Sequence, residues 1–173
     1  MTTGGAATPV SIERGYRPGA IGRVAEMHGR IYAQTSGFGL VFESKVAAGL
    51  ADFANRLDNS RNGLWLAVAA GTIVGAIAID GEDLATDAAH LRWFIVEDGF
   101  RGTGLGRRLL AEAVSFCDRT GFAETQLWTF RGLDAARKLY EAYGFALAEE
   151  WPGRQWGKQM FEQRFVRPAR APT

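Results

Sequence analysis

The chain has little of what several classes of protein require. Its 173 residues include one cysteine, Cys117, so the chain can form neither an internal disulfide nor a thiolate metal cluster. A reducing cytoplasm is therefore the compartment we expect. The 20 lysines and arginines are nearly balanced by 19 acidic residues, and this net charge of +1 argues against a nucleic-acid-binding protein. Two widely separated histidines, His28 and His90, make no metal-binding motif.

The sequence also lacks a recognisable signal peptide and a long apolar run. Residues 1–8 are small and polar, with neither the basic nor the apolar segment of a signal peptide. Residues 64–79 carry no charge, but this run is shorter than the roughly 20 residues that a membrane span needs. It is also interrupted by Gly71 and Thr72. We therefore predict two buried strands joined by a tight turn, and no membrane partner.

Apolar residues make up 47% of the chain, and their spacing alternates between the periods of strands and helices. The predicted strands are residues 9–16, 64–69, 72–79, 90–96, 125–129, 146–151 and 160–166, and the predicted helices are residues 18–37, 42–57, 104–119 and 133–143. Hairpins mixed with helical crossovers predict an α/β fold, in which a mixed sheet carries helices on both faces. We assign this single domain to residues 9–166 and expect flexible tails at residues 1–8 and 167–173.

The most informative segment is residues 96–110, where a predicted strand leads through a glycine-rich turn into a helix. It contains three glycines and three cations: Gly102, Gly104, Gly106, Arg101, Arg107 and Arg108. Glycines let a ligand approach the backbone closely. The first N–H groups of a helix lack internal partners and bind phosphate together with the positive end of the helix dipole. The segment therefore predicts an anion-binding turn.

Other kinds of glycine-rich phosphate-binding turn have to be compared with this sequence. A Rossmann dinucleotide site needs G-x-G-x-x-G and an acidic residue at the end of the next strand. Here the three glycines are spaced by two, and Glu124 lies at the start of the next predicted strand. A P-loop is excluded because no G-x-x-x-x-G-K followed by Ser or Thr is present. A tight turn with a solvated basic helix start remains the non-functional alternative.

Two signatures give the chain a family resemblance. Arg101-x-x-Gly104-x-Gly106, following a strand, resembles the acyl-CoA signature of the GNAT acetyltransferases. Residues 136–145 resemble a second signature of that family, A-x-x-L-Y-E-x-x-G-F, at the expected place in the chain. The similarity extends over roughly residues 12–166. Residues 91–94 and 162–165 further resemble the acetyltransferase half of bacterial proteins that fuse a MarR-type regulator to such a domain.

The resemblance implies a fold and an activity. The fold is a splayed, mostly antiparallel sheet of about seven strands that opens between the fourth and fifth strands. The activity is N-acetylation, in which an amine attacks the thioester of acetyl-CoA directly. By resemblance, the cofactor-binding residues are Phe94, Ile95 and Val96 for the thioester arm and Arg101, Gly102, Thr103, Gly104, Leu105, Gly106 and Arg107 for the pyrophosphate.

Tyr140 matches the position of the general acid in this family. A phenol has a pKa of about 10, so it is protonated at neutral pH and can give its proton to the departing thiolate. We expect Tyr143, three residues further on, to be structural. One position departs from the family pattern: many members have an Asn where this chain has Leu133, and the neighbouring Asp134 does not simply replace it.

The sequence leaves three candidates for the general base: His90, Glu97 and ordered water. Strand alternation predicts that His90, Arg92, Phe94 and Val96 share one face, and a histidine can accept a proton at neutral pH. Glu97, just after the strand, is the second candidate. We expect His28, among apolar residues of the first helix, to be packed or hydrogen-bonded, and Cys117 to be an inert core residue.

By resemblance, the acceptor site lies between residues 32–42 and residues 151–158. Five aromatic side chains from these segments are expected to line a pocket: Tyr32, Phe38, Phe42, Trp151 and Trp156. Arg92, Arg154 and Lys158 are candidate polar contacts in this pocket. We expect a small amine or an amino acid as acceptor, because a basic acceptor usually calls for an acidic cleft. A non-catalytic acyl-CoA sensor and the catalytic partner of a regulator are the alternatives. Exposed apolar area on the last strands would indicate a homodimer.

Overall fold

A computed structural model describes residues 5–84 and 87–171. Within them the strands are β1 (Val10–Arg14), β2 (Gly63–Ala69), β3 (Thr72–Asp80), β4 (Ala88–Val96), β5 (Glu124–Phe130), β6 (Ala146–Gly153) and β7 (Met160–Pro168). The helices are α1 (Ala20–Ser36), α2 (Leu40–Ala54), α3 (Leu105–Thr120) and α4 (Asp134–Ala142), with a single 3₁₀ turn at Asp98–Phe100. The order of elements is the predicted one, and α2 is shifted towards the N-terminus by two to three residues.

The strands form one open sheet in the order β1-β2-β3-β4-β5-β7-β6. Every neighbouring pair is antiparallel except β4 and β5, which run parallel. Helices α1 and α2 pack on one face of the sheet, and α3 and α4 pack on the other. The predicted fold class is therefore confirmed: an α/β domain with a mixed sheet and helices on both faces.

The uncharged run at residues 64–79 forms the middle of this sandwich. Every residue of β2 is buried, and all of β3 except Thr72 is buried as well. Both strands are apolar on both faces because helices cover both sides. This burial explains the run as two core strands, as predicted. In the described ranges no helix combines the length and hydropathy needed to cross a bilayer.

An irregularity in β4 overturns the predicted alternation of its side chains. Trp93 adopts a left-handed backbone conformation, with φ of 48°, and the pairing of β3 with β4 shifts register beside it. Such a bulge inserts one extra residue and reverses which face the following side chains occupy. Arg92 pairs with Ala78, which faces α1 and α2, whereas Phe94 and Val96 pack against the α3 side. The four residues 90, 92, 94 and 96 therefore do not share one face.

The last strand reaches further than the sequence pattern indicated. β7 ends at Pro168, and Arg167, expected in a flexible tail, has only 8% of its surface exposed. Its guanidinium donates to both carboxylate oxygens of Asp118 on α3, at 2.8 and 3.1 Å, and to the Tyr143 carbonyl at 2.9 Å. Arg167 therefore belongs to the domain, because a partner distant in sequence satisfies its charge.

A buried carboxylate fixes α2 to the end of β3. The side chain of Asp80 is fully buried, and it accepts hydrogen bonds from Arg56 at 2.7 Å and from the Glu82 backbone N–H at 3.0 Å. Arg92 lies 3.6 Å away. Burial by itself raises the pKa of Asp80, but the hydrogen bonds from Arg56 and Glu82 and the nearby cations outweigh it, and the net pKa is lowered. Asp80 is thus charged and depends on Arg56.

We expect Arg56→Met to lower the free energy of unfolding by about 2–3 kcal/mol. This is less than the roughly 3–5 kcal/mol for fully enclosed pairs, because Arg56 is 28% exposed. Since the folded-state pKa of Asp80 is lowered, the pair stabilises the protein above the unfolded-state pKa of about 3.9. The difference between the two proteins should therefore shrink as the pH falls below about 4.

Urea unfolding across this pH range measures the effect, and Arg17→Met is the matched control. Arg17 forms an exposed pair with Glu13 at 3.4 Å, so its loss should cost no more than about 0.5 kcal/mol. Equal destabilisation by the two variants would contradict the role of Arg56.

Candidate functional site: two cavities at an open strand pair

The sheet opens between β4 and β5. The two strands are paired only at residues 88–90 and 124–126, after which they separate. On its other side β5 pairs with β7 over seven residues. The backbone of β4 beyond His90 therefore faces a gap with its N–H and C=O groups unpaired on that edge. Unpaired backbone groups in a cleft are available to a ligand that lies along the strand.

The first cavity, the glycine-turn cavity, lies between β4, the turn before α3 and the start of α4. Its volume is about 550 Å³. Six predicted cofactor-binding residues line it: Phe94, Ile95, Val96, Arg101, Gly102 and Gly106. Helix α4 and the residue before it contribute further lining that was not predicted from the sequence: Leu133, Asp134, Ala135, Ala136 and Leu139. Their apolar spacing in the second signature was the available signal, but it is equally the pattern of a core helix.

Four other predicted cofactor-binding residues do not line this cavity. Gly104 precedes α3 in a left-handed conformation with φ of 84°, and Leu105 is a core residue with 2% exposure. The Thr103 hydroxyl donates to the Phe100 carbonyl at 2.5 Å. The Arg107 guanidinium lies 6.0 Å from the centre of the Tyr143 ring. The side chains of Thr103 and Leu105 are thus used in the turn and in the core, whereas the Arg107 side chain is exposed.

The turn presents unpaired N–H groups and a cation, as an anion-binding turn requires. The first intrahelical bond of α3 runs from the Arg108 N–H to the Gly104 carbonyl, so the N–H groups of residues 105–107 have no helical acceptor. The Arg108 guanidinium is used elsewhere, because it donates to the Val10 carbonyl at 3.1 Å. Arg101 lines the cavity and is half exposed, beside Asp98 at 3.2 Å. Helix N–H groups and Arg101 therefore remain to bind an anion.

The second cavity, the tryptophan cavity, lies on the α1 and α2 side of the gap and has a volume of about 390 Å³. Four of the five tryptophans line it: Trp93, Trp128, Trp151 and Trp156. Its polar lining comprises His28, Tyr32, Lys45, His90, Arg92, Thr129, Tyr140 and Gln155. No Asp or Glu belongs to this lining within the described residues. The cavity is thus aromatic and cationic.

Three residues line both cavities: Tyr32, Phe94 and Tyr140. The rings of Phe94 and Tyr140 meet edge to face with centres 6.1 Å apart. Burial, and to a lesser degree the nearby Tyr32, raises the pKa of Tyr140 far above that of a free phenol. Burial likewise raises the pKa of Tyr32, opposed by the charge of Arg101. Two protonated phenols therefore stand where the cavities meet.

His90 lines the tryptophan cavity and is oriented by two neighbours. Its Nδ1 lies 2.6 Å from Oδ2 of Asp83, in the loop after β3. The ring packs edge to face on Trp128, with centres 4.8 Å apart. With Nδ1–H donated to the carboxylate, Nε2 is the nitrogen left to accept a proton. The sequence did not indicate this pairing, because nothing local marks Asp83 as a partner of His90.

Glu97, the second candidate base, lines neither cavity. Its carboxylate lies 2.7 Å from Arg30 and 3.1 Å from Arg23, both on α1. The hydrogen bond from Arg30, partly opposed by burial, lowers the pKa of Glu97. The carboxylate therefore fastens α1 to the end of β4, and we do not retain it as a base.

The predicted acceptor residues divide between the cavity wall and the packing behind it. Tyr32, Arg92 and Trp156 line the tryptophan cavity, as do Phe42 and Trp151. Phe38 does not line it; this side chain is 3% exposed and packs on Phe42 and Phe130, with ring centres 4.9 and 5.2 Å apart.

The two cations expected to meet a carboxylate, Arg154 and Lys158, do not line the tryptophan cavity. The Lys158 Nζ donates to the Ser36 carbonyl at the end of α1, at 2.8 Å. Lys45 on α2 lines the cavity in their place. The sequence did not single it out, because a lone lysine on a helix is usually a solvated surface residue.

Three residues that we expected to be structural make packing or hydrogen-bonding contacts. His28 is buried, its Nδ1 lies 2.8 Å from the Val24 carbonyl, and burial lowers its pKa to about 4 despite that bond. Burial raises the pKa of the Cys117 thiol to about 11. The Tyr143 hydroxyl donates to the Arg107 carbonyl at 3.4 Å and lines neither cavity.

Most of the residues that line the two cavities lie in a segment that matches a known family. Residues 31–145 match the family described as Acetyltransferase (GNAT) family, and this range includes the glycine turn and the three residues shared by the cavities. Over 81 residues, 47% of the chain, the sequence is 32% identical to N-acetylaspartate synthetase of Xenopus tropicalis. The chain spans 30% of that relative's length.

Two solved structures show the same fold. One is an acetyltransferase of the GNAT family from Staphylococcus aureus Mu50, with a TM-score of 0.75 and 19% identity over 94% of this chain and 100% of that chain. The other, from Salmonella typhimurium, contains its cofactor acetyl-CoA and has a TM-score of 0.76 and 14% identity over 96% of this chain and 97% of that chain. At these identities the likeness establishes the architecture alone.

The two glycines of the turn should respond oppositely to a methyl group. Gly104→Ala should destabilise the protein by about 1–2 kcal/mol, because φ is 84° there. Gly106→Ala should stabilise it by about 0.4–1 kcal/mol: the residue is helical, and the added Cβ would lie 3.6 Å from Phe94 and Leu139, an ordinary contact. Chemical denaturation of the ligand-free protein measures both, and changes of the same sign would contradict this turn geometry.

Proposed function

Since the chain belongs to the acetyltransferase (GNAT) family, we propose that it transfers the acetyl group of acetyl-CoA to a primary amine of a small molecule or amino acid. Acetyl-CoA would occupy the glycine-turn cavity, and the amine would occupy the tryptophan cavity. The observation that carries the proposal is the shared lining by Tyr32, Phe94 and Tyr140. A thioester on one side and an amine on the other would meet there without a covalent enzyme intermediate.

The residues of the glycine-turn cavity suit the parts of acetyl-CoA, which supplies an activated acetyl thioester. The free N–H groups at the start of α3 and the Arg101 guanidinium would hold the pyrophosphate. The unpaired edge of residues 94–96 would hydrogen-bond the amide groups of the pantetheine arm, as an added strand does. Leu133 and Ala136 would contact the arm through apolar surface. Because Leu133 replaces the Asn of the family signature, a polar contact to the cofactor would be replaced by an apolar one.

Tyr140 is the proposed general acid. Burial raises its pKa, so the hydroxyl carries its proton throughout the neutral range. As the amine nitrogen bonds to the carbonyl carbon and the carbon–sulfur bond breaks, this proton would pass to the departing thiolate sulfur. Tyr32, the second phenol at the junction, would donate a hydrogen bond to the developing oxyanion or to the acceptor.

His90 is the proposed base, acting through water. His90 lies four positions before Phe94 along β4, which is at most roughly 13 Å of strand. An amine at the junction would therefore release its proton to ordered water, and His90 Nε2 would accept it at the far end of the cavity. Asp83 would keep Nδ1 protonated and Nε2 free.

Further parts of the proposal concern partners. Leu147 on β6 and Phe161 on β7 are 38% and 48% exposed, which supports a homodimer through the last two strands. Residues 91–94 and 162–165 resemble regulator fusions, and a role beside a transcriptional regulator stays a prediction. A non-catalytic sensor would bind acetyl-CoA in the same cavity but would release no thiol.

Tyr140→Phe should lower the rate of acetyl transfer about a hundredfold or more, because it removes the proton donor and keeps the ring. Free-thiol release from acetyl-CoA across a panel of amines measures this rate. Tyr143→Phe is the control, since that hydroxyl lines neither cavity, and its rate should stay within about twofold. Full activity in Tyr140→Phe would remove the acid role, whereas binding of acetyl-CoA without release for any amine would favour the sensor.

His90→Gln should reduce kcat/KM at neutral pH by about tenfold to a hundredfold, because the glutamine cannot take up the proton. The loss should narrow as the pH rises towards about 9, where the amine deprotonates in solution. Asp83→Asn should give a smaller loss with the same pH dependence. A deficit that is independent of pH would indicate a packing role for both residues.

A further inference from the structure

The tryptophan cavity has the chemistry of a site for an amine that also bears a carboxylate. We infer that the acceptor is a free amino acid with a large apolar or aromatic side chain, and that Lys45 binds its carboxylate. This inference rests on the proposed function and narrows it to one class of acceptor. It draws on three features of the cavity: its uncompensated positive charge, its fixed aromatic wall and its size.

The charge inventory singles out Lys45. Arg92, the other permanent cation of the lining, lies 3.3 Å from Asp83 and 3.6 Å from Asp80, so two carboxylates already neutralise it. The Lys45 Nζ donates to the Gln155 carbonyl at 3.1 Å, and it forms no ion pair with any described carboxylate. A lysine ammonium has three donors. One positive charge with two unused donors therefore faces the cavity.

The part of the cavity wall that Lys45 contacts is held by a buried carboxylate behind it. Glu162 is 3% exposed and accepts hydrogen bonds from the Trp151 indole at 2.8 Å and from the Gln155 backbone N–H at 2.9 Å. These bonds fix the hairpin of β6 and β7 that carries the Lys45 acceptor. They also occupy both oxygens of this carboxylate. A preorganised wall loses less entropy when a ligand binds than a loose one does.

The remaining surface is suited to a flat apolar group. Trp93, Trp128, Trp151 and Trp156 contribute to the lining from β4, β5 and the hairpin. The volume of about 390 Å³ is near the lower end of the roughly 300–1,000 Å³ of small-molecule sites. One small compound therefore fills it, and its side chain would pack on the tryptophans.

The same charge excludes the common basic acceptors. Polyamines, aminoglycosides and lysine side chains of basic peptides would place further cations beside Lys45, with no Asp or Glu in the described lining to compensate them. An amino acid instead brings a carboxylate that can pair with the Lys45 ammonium.

The experiment compares each amino acid with the same molecule lacking its carboxylate. L-tryptophan and L-phenylalanine are assayed beside tryptophanamide, phenylalaninamide, tryptamine and spermidine, with thiol release from acetyl-CoA as the readout. We expect kcat/KM for the amino acids to exceed that for their amides by about tenfold or more, as one charge-assisted hydrogen bond provides. Amides or tryptamine that react equally well or better would overturn the inference and leave the proposed function intact. No release with any of these amines would count against both.

The variants test Lys45 itself. Lys45→Met should raise KM for L-tryptophan about tenfold, with KM for tryptophanamide and for acetyl-CoA unchanged, and Lys45→Arg should restore most of the affinity. Lys158→Met is the matched control, because that ammonium caps Ser36 and does not line the cavity. Equal losses for the acid and the amide, or the same loss in Lys158→Met, would overturn the assignment. Thermal unfolding checks that the exposed Lys45 can be replaced without loss of fold.

Discussion

The separation of β4 from β5 is the constraint on which the rest of the structure depends. Three residue pairs hold the strands together at one end, and beyond them an interior sheet edge is left without a neighbour. Such an edge is costly unless something pairs with it. The two cavities lie on either side of this gap, and Tyr32, Phe94 and Tyr140 connect them across it. The bulge at Trp93 lies at the same place in β4. As a result Arg92 faces the α1 and α2 side of the sheet, whereas Phe94 faces the α3 side.

Ion pairs distant in sequence hold the elements around this gap. Glu97 binds Arg23 and Arg30 and joins α1 to the end of β4. Arg56 and Asp80 join the end of α2 to β3, and Arg167 with Asp118 joins β7 to α3. Each pair connects a helix, or the turn beside it, to the sheet. The tryptophan cavity has a positive character because Lys45 is part of its lining, and no Asp or Glu among the described residues is.

Local patterns were sufficient to predict the order of elements, the mixed sheet and the glycine turn, whereas the opening of the sheet was expected from the family resemblance. Gly102 and Gly104 mark a turn because few other residues tolerate their positive φ angles of 75° and 84°, and the uncharged run of residues 64–79 marks two buried strands. The bulge escaped prediction because tryptophan gives no sign of a left-handed φ. Arg167, Lys45 and Asp83 escaped because their roles depend on Asp118, Gln155 and His90, which lie 49, 110 and 7 positions away. Sequence spacing cannot reveal a partner that only the tertiary fold supplies.

The placement of the tryptophans has a spectroscopic consequence. Four of them line one cavity, while Trp65 is a core residue, 2% exposed, packed on Phe116 with ring centres 5.3 Å apart. Indole emission responds to the polarity around the ring, and four of the five indoles of this protein lie where an acceptor would displace water. Trp65 contributes a constant background that reports only on the integrity of the core. The chain thus carries its own optical probe of cavity occupancy, with an internal reference for folding and no need of a label.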